Sequence, residues 1–155
     1  MPMSKSMTSI DRVYVLSASG GCGKTTTLNH LAHYLYALPA RYRIGVGVSI
    51  PIAPPYHLDG QYWFDSIISP SKRVGICTAG DTNGIIKNAF SYFSKNSCSV
   101  CFIASRLWGQ SLREIESQSA TIGVEPQYLY LPTEHSVRTQ SAVQGAVARF
   151  LESLI

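Results

Sequence analysis

This chain has few charged residues and no cluster of them. Charged residues make up 14% of its 155 residues, with 13 lysines and arginines against 9 aspartates and glutamates, scattered singly. Because the basic residues form no stripe, the formal net charge of +4 does not indicate a nucleic-acid surface. The 45% hydrophobic content excludes a disordered chain and indicates one well-buried globular domain over residues 1–155.

Long apolar runs are missing as well. No segment approaches the roughly 20 apolar residues of a membrane-spanning helix. Residues 1–9 are polar and lack periodicity, so we expect them to be flexible, and they contain no apolar run that could serve as a signal peptide. These absences predict a cytoplasmic protein with no membrane contact.

Several catalytic and metal-binding patterns are also absent. Cys98 and Cys101 form a C-x-x-C, but no second pair of Cys or His stands at zinc-ligand spacing. His30 and His33 lie three residues apart without a carboxylate or Cys partner at such spacing. No G-x-S-x-G is present. Metal, redox and serine-hydrolase chemistry are therefore minor alternatives.

A glycine-rich segment follows the first apolar run and is the strongest functional pattern in the chain. Glycines let successive backbone N–H groups turn toward an anion, and a helix beginning at about Lys24 would direct its positive dipole end at the same charge. Lys24 would reach the β and γ phosphates and Thr25 would be a magnesium ligand. The predicted nucleotide-binding residues of this segment are Ser19, Gly20, Gly21, Cys22, Gly23, Lys24, Thr25 and Thr26.

This segment resembles the P-loop of NTPases, G-x-x-x-x-G-K-[ST], with Ala18 at the first position. It is also similar to the GGxGKTT loop of the ParA/MinD family of ATPases, with Ser19 where that family carries a signature lysine. The resemblance implies a P-loop NTPase that binds ATP and Mg²⁺.

Alternating apolar patterns predict strands and helices in turn. We predict a three-layer α/β/α sandwich with a mainly parallel sheet of about five strands, the P-loop NTPase fold. The predicted strands are 12–17, 43–50, 73–78, 99–104 and 127–131, and the helices between and after them follow apolar spacings of three and four residues.

Residues 51–71 interrupt this alternation and contain several prolines. We interpret them as an irregular insertion or lid. The aromatics at 62–64 would stack on a base, dock a protein partner or bind an acceptor substrate. The alternative is that they pack a short helix onto the sheet.

Asp81 follows the third predicted strand. A carboxylate there would hold Mg²⁺ or its bound water opposite the phosphates, which gives Asp81 a catalytic and metal role. The alternative is that Asp81 caps the helix starting near Asn83. The residues 77–80 just before it are similar to the DTAG element of small GTPases, with Cys77 in place of Asp. Because no NKxD-like sequence follows a later strand, guanine specificity is not expected.

Two further loops follow predicted strands. Arg106 would clamp the charge of a transferring phosphoryl group, unless it is an ordinary surface arginine. Thr133 and Arg138 would contact the adenine base, unless the segment only caps a helix.

ATP hydrolysis is the function that these patterns favour. One alternative is a small nucleotide or metabolite kinase, and another is a nucleotide-sensing interaction module with slow turnover. A homodimer is possible in any of these cases.

Overall fold

A six-stranded sheet organises the part of the chain that the computed structural model describes. That part comprises residues 10–17, 24–50, 59–69, 71–107, 109–130 and 141–155, with the backbone alone over 141–146. Its elements in chain order are β1 (Arg12–Ser17), α1 (Lys24–Tyr36), β2 (Tyr42–Ile44), β3 (Gln61–Ser66), β4 (Arg73–Cys77), α2 (Asn83–Lys95), β5 (Val100–Ser105), α3 (Gln110–Ile122), β6 (Gln127–Tyr130) and α4 (Ser141–Ser153).

The sheet is mixed, with strand order β2-β3-β4-β5-β1-β6. Neighbours run parallel from β4 through β5 and β1 to β6, whereas β2, β3 and β4 form an antiparallel meander at one side. The prediction of a mainly parallel sheet of about five strands in a P-loop NTPase sandwich is therefore wrong. The protein is a small α/β protein with a six-stranded mixed sheet and four helices in its described part.

The short link between β3 and β4 explains the antiparallel side. Only residues 67–72 separate these strands, and a parallel crossover needs a dozen or more residues. β3 lies within residues 51–71, so the prediction of an irregular insertion or lid is wrong for Gln61–Ser66. Its side chains alternate, with Tyr62 and Phe64 buried under α1 and the intervening Trp63 on the opposite face. Tyr62 and Phe64 are therefore core residues and provide no docking or base-stacking surface.

β2 is shorter than the predicted strand 43–50. It ends at Ile44, and the following Gly45 N–H donates to the carbonyl of Trp63 at 2.8 Å. A side chain at Gly45 would overlap the indole of Trp63. Gly47 then adopts a φ of 79°, which favours glycine and turns the chain out of the sheet. The Arg73 guanidinium lies over the same indole, 4.1 Å from the ring centroid, and this contact joins β3 to β4.

Helices cover both faces of the sheet and bury two apolar clusters. α1 and α4 lie on one face and bury a cluster that includes Leu28 of α1 together with Phe64 and Phe102 of the sheet. α2 and α3 lie on the other, over side chains that include Phe93 and Ile103. None of the helices in the described ranges is long and apolar enough to cross a membrane.

The start of α2 has a defined cap. The Thr82 side chain accepts a hydrogen bond from the Ile85 N–H at 3.2 Å, so Thr82 is the N-cap and the helix begins at Asn83. The alternative role of Asp81 as the cap of this helix is therefore wrong, and the Asp81 side chain is available for another contact.

Candidate functional site

The candidate site lies where the carboxyl ends of parallel strands meet. β1 ends at Ser17 beside Ser105 of β5, and β4 ends at Cys77 beside Ile103 of the same strand. Ligands of parallel α/β sheets gather at this edge, where the loops that follow the strands converge. The segments that follow β4 and β5 therefore share one region of the surface with the end of β1.

Lys24 is the first residue of α1 and is only 8% exposed. Thr25 and Thr26 follow it and are half-buried. A helix N-terminus presents unpaired N–H groups and partial positive charge, so an anion is stabilised there. The preceding residues Ser19, Gly20, Gly21, Cys22 and Gly23 lie outside the described residues, and their cradle stays a prediction.

Asp59 is the carboxylate beside Thr25. The Thr25 hydroxyl donates to Asp59 Oδ1 at 3.0 Å, and the Thr78 hydroxyl lies 3.1 Å from the same oxygen. Gly60, next to Asp59, donates its N–H to the Thr78 hydroxyl at 2.8 Å. Asp59 itself is exposed, whereas Thr78 is buried. A buried threonine at the end of β4 therefore holds an exposed carboxylate over the start of α1.

The chemistry of this cluster suits a hard cation. Mg²⁺ prefers oxygen ligands and is typically held by one or two carboxylates together with substrate phosphates and water. Thr25 and Asp59 supply a hydroxyl and a carboxylate side by side. Within the described ranges, no group of three or more His, Cys, Asp or Glu side chains is placed to hold a metal by itself. The donor set therefore fits a metal shared with a phosphate ligand.

Asp81 and Arg106 contact each other. The Arg106 guanidinium Nε lies 3.5 Å from Asp81 Oδ1, and both side chains are more than half exposed. Gly80 brings the Asp81 loop against β5, since a Cβ at Gly80 would overlap the carbonyl oxygen of Ala104. The two predicted site residues thus lie at the same edge of the sheet as an exposed ion pair. Their catalytic and metal roles stay predictions.

A buried hydrogen bond anchors β3, and with it Asp59, to α1. The Tyr62 hydroxyl donates to Asn29 Oδ1 at 2.6 Å, and both residues are nearly inaccessible. Burial, and then the charge of Asp59, raises the pKa of Tyr62 to about 12. The phenol is therefore a neutral donor at physiological pH, and it holds the strand that begins beside Asp59 against the helix that begins at Lys24.

Two buried hydroxyls flank the glycine-rich segment along the chain. Ser17 Oγ and Thr27 Oγ1 are 1% and 0% exposed at the residue level and have no hydrogen-bond partner among the described residues. Leaving a buried hydroxyl unpaired costs about 1–3 kcal/mol, so such groups call for a partner. Ser17 is the last residue of β1 and Thr27 lies near the start of α1, so the two hydroxyls stand on either side of the predicted phosphate-binding residues 19–26 in the sequence.

The described cysteines are unreactive. Cys77, Cys98 and Cys101 are free and buried. Burial raises the pKa of Cys98 to about 12 and holds those of Cys77 and Cys101 well above the ordinary value. Thiols in such surroundings stay protonated and behave as small apolar side chains. The C-x-x-C of the sequence is thus part of the core.

The sequence patterns did not predict a role for Asp59. Asp59 stands directly before the alternating pattern of β3, and that pattern was the available signal. Thr133 and Arg138, the predicted base contacts, lie outside the described residues.

Comparison with protein-family models, with curated proteins and with solved structures finds no match to this chain.

Proposed function

We propose that this protein binds ATP as its magnesium complex and hydrolyses the γ-phosphate. The observation that carries the proposal is the 3.0 Å contact between the Thr25 hydroxyl and the Asp59 carboxylate, directly after Lys24 at the start of α1. The sequence Gly20-Gly21-Cys22-Gly23-Lys24-Thr25 leads into that contact. A lysine, a hydroxyl and a carboxylate at one helix start are the groups that a triphosphate with Mg²⁺ requires.

Each residue has a distinct role in this proposal. Lys24 neutralises the β and γ phosphates, and the N–H groups of α1 add their partial positive charge. Thr25 and Asp59 hold Mg²⁺, which neutralises the charge that develops on the γ-phosphoryl group. Thr78 positions the Asp59 carboxylate through the 3.1 Å contact. The buried hydroxyls of Ser17 and Thr27, which have no hydrogen-bond partner among the described residues, support a polar ligand near the residues that join β1 to α1.

Arg106 would act after it leaves Asp81. An arginine stabilises a transferring phosphoryl group through bidentate hydrogen bonds. Because the ion pair with Asp81 is exposed, separating the two side chains costs little. A bound triphosphate would thus compete with Asp81 for the guanidinium.

ATP is the proposed nucleotide because the chain lacks the marks of guanine recognition. Cys77 stands where the DTAG element has a carboxylate, and its thiol is buried and protonated. A cytoplasmic location and a second copy or protein partner belong to the same proposal, and no described residue argues for a nucleic-acid partner.

Nucleotide-dependent thermal stabilisation tests the proposal. At 100 times its Kd, a ligand of the native state adds about 2.7 kcal/mol, which corresponds to a Tm shift of roughly 5–10 °C for a domain of this size. Mg-ATP should produce this shift in the wild-type protein and in Lys87→Ala, which removes an exposed lysine of α2. Lys24→Ala should abolish it. An equal shift in Lys24→Ala would overturn the phosphate-binding assignment.

A further inference from the structure

A cleft next to Asp59 is left unexplained by nucleotide binding. It has a volume of about 330 Å³ and lies between the start of β3, the end of β4 and the first turns of α2. This volume falls in the range of roughly 300–1,000 Å³ that small-molecule sites occupy. Asp59 lines the cleft and also contacts Thr25, so the cleft adjoins the proposed metal and phosphate site.

The lining determines which molecules fit. Ile85, Ala89 and Cys77 give it apolar surface, and the Cys77 thiol is neutral. Gln61 adds an amide, which both donates and accepts hydrogen bonds. The described lining holds no lysine, arginine or histidine that could neutralise an anion, and its one charged residue, Asp59, is acidic. The cleft therefore disfavours anions and suits an uncharged molecule with an apolar or flat body and hydrogen-bonding edges.

We propose that this cleft binds an uncharged, hydroxyl-bearing phosphoryl acceptor of nucleoside size. This inference depends on the proposed function, because the phosphoryl donor is the nucleotide bound at Lys24 and Thr25. The apolar wall from Ile85 and Ala89 receives the flat part of the acceptor, and Gln61 pairs with its polar edge. A hydroxyl near Asp59 then faces the γ-phosphate.

The transfer is balanced without another co-reactant. The acceptor oxygen forms a bond to the γ-phosphorus while the bond from that phosphorus to the bridging β–γ oxygen breaks. ADP leaves with the electron pair of the broken bond, and the proton of the acceptor hydroxyl passes to water. The products are ADP and a phosphomonoester. Hydrolysis is the reaction that takes place when water replaces the acceptor.

Phosphorus NMR of Mg-ATP with defined acceptors tests the inference. The probes are adenosine and uridine as uncharged compounds, with AMP and UMP as their anionic counterparts. The expected result is a new phosphomonoester signal and ADP with at least one nucleoside, and at least 10-fold less transfer to either monophosphate. Transfer to AMP or UMP at the same rate, or no transfer to either nucleoside, would overturn the inference.

Two variants test whether transfer uses the cleft. Ile85→Trp fills it, whereas Ile68→Trp places the same side chain at a position that is 64% exposed on the β3–β4 turn and serves as the matched control. Transfer should fall at least 10-fold in the first and persist in the second. Gln61→Leu, at an exposed position, should raise the KM for the nucleoside about 10-fold if Ile85→Trp fails to fold. Unchanged transfer in the folded cleft variants would overturn the assignment.

The thermal shift with Mg-ATP distinguishes failure of the proposed function from failure of the acceptor cleft. A wild-type protein that Mg-ATP stabilises and that releases inorganic phosphate, but that phosphorylates neither nucleoside, would retain the proposed function and lose the acceptor cleft. A protein that Mg-ATP does not stabilise would lose both.

Discussion

The Thr25 hydroxyl donates a hydrogen bond to the Asp59 carboxylate across 3.0 Å, joining the start of α1 to the start of β3. These residues are separated by 34 positions in the chain, and the contact depends on Thr78, whose hydroxyl lies against both Asp59 and Gly60. The start of α1, the start of β3 and the end of β4 each supply one residue to this cluster. Replacing Asp59 by asparagine would remove its negative charge and keep the shape of its side chain.

Asp59→Asn should weaken the binding of Mg²⁺ while the fold persists. The amide oxygen still accepts from Thr25, but the negative charge is lost, so we expect the affinity for Mg²⁺ in the presence of ATP to fall roughly 10- to 100-fold. The measurement is the Mg²⁺ concentration that gives half of the thermal shift by ATP. Asp81→Asn is the comparison variant, because the sequence predicts Asp81 as a magnesium ligand whereas the structure pairs it with Arg106. A large loss in Asp81→Asn with none in Asp59→Asn would transfer the metal role to Asp81.

Gly80→Ala should destabilise the protein by about 1–3 kcal/mol, the usual cost of overpacking. A methyl group there would overlap the carbonyl oxygen of Ala104. This oxygen belongs to the backbone of β5, which cannot shift away without breaking its strand pairing. Gly84→Ala is the control, because a Cβ at Gly84 meets nothing within 4 Å in the first turn of α2 and should add up to about 1 kcal/mol. Midpoints of urea unfolding give both values, and changes of the same sign would contradict the contact.

Thr82→Ala should cost about 1 kcal/mol of unfolding free energy through loss of the α2 cap. The Thr82 hydroxyl oxygen accepts from the Ile85 N–H at 3.2 Å, and alanine leaves that N–H unpaired by the side chain. Thr82→Ser should keep most of the stability, since serine retains the oxygen. Equal losses in the two variants, measured by chemical denaturation, would show that the methyl group and not the cap matters.

The stability advantage of wild type over Tyr62→Phe should shrink as the pH rises from 9 to 11.5. The folded pKa of Tyr62 is about 12 against the ordinary value of 10.0, so the unfolded phenol ionises first. Ionisation then favours the unfolded chain, and the stabilisation present below pH 10 is lost toward pH 12. Urea unfolding at several pH values measures the difference. A difference that stays constant with pH would place the phenol in contact with water.

Elements with strong local patterns could be predicted from the sequence. The predicted strand at Arg12–Ser17 is confirmed as β1. An unbroken apolar run directly before a glycine-rich segment is compatible with few structures other than a buried strand. The spacing of Ile85, Ile86, Ala89, Phe90 and Phe93 predicts a helix, and all of these except the half-buried Ile85 are the buried residues of α2. Local periodicity is sufficient where one face of an element meets the core.

The meander and Asp59 could not be predicted in the same way. The alternation of β3 was present in the sequence, but three consecutive aromatics and the nearby prolines favoured an irregular segment. Strand direction and register then depend on pairing with β4, which local periodicity does not specify. Asp59 reaches Thr25 only through that register, because Gly60 pairs with Thr78 at the end of β4.

The strand order also limits the order in which the strands can pair during synthesis on the ribosome. β2, β3 and β4 are consecutive and can pair as soon as residue 77 has emerged, whereas β1 has β5 and β6 as its neighbours and must wait for residue 105. Asp59 belongs to the part that forms early, and Lys24 follows the strand that is inserted late. A chain halted in α2 would lack the strand that holds β1 beside β4, so the proposed nucleotide site could be complete only once synthesis has passed β5.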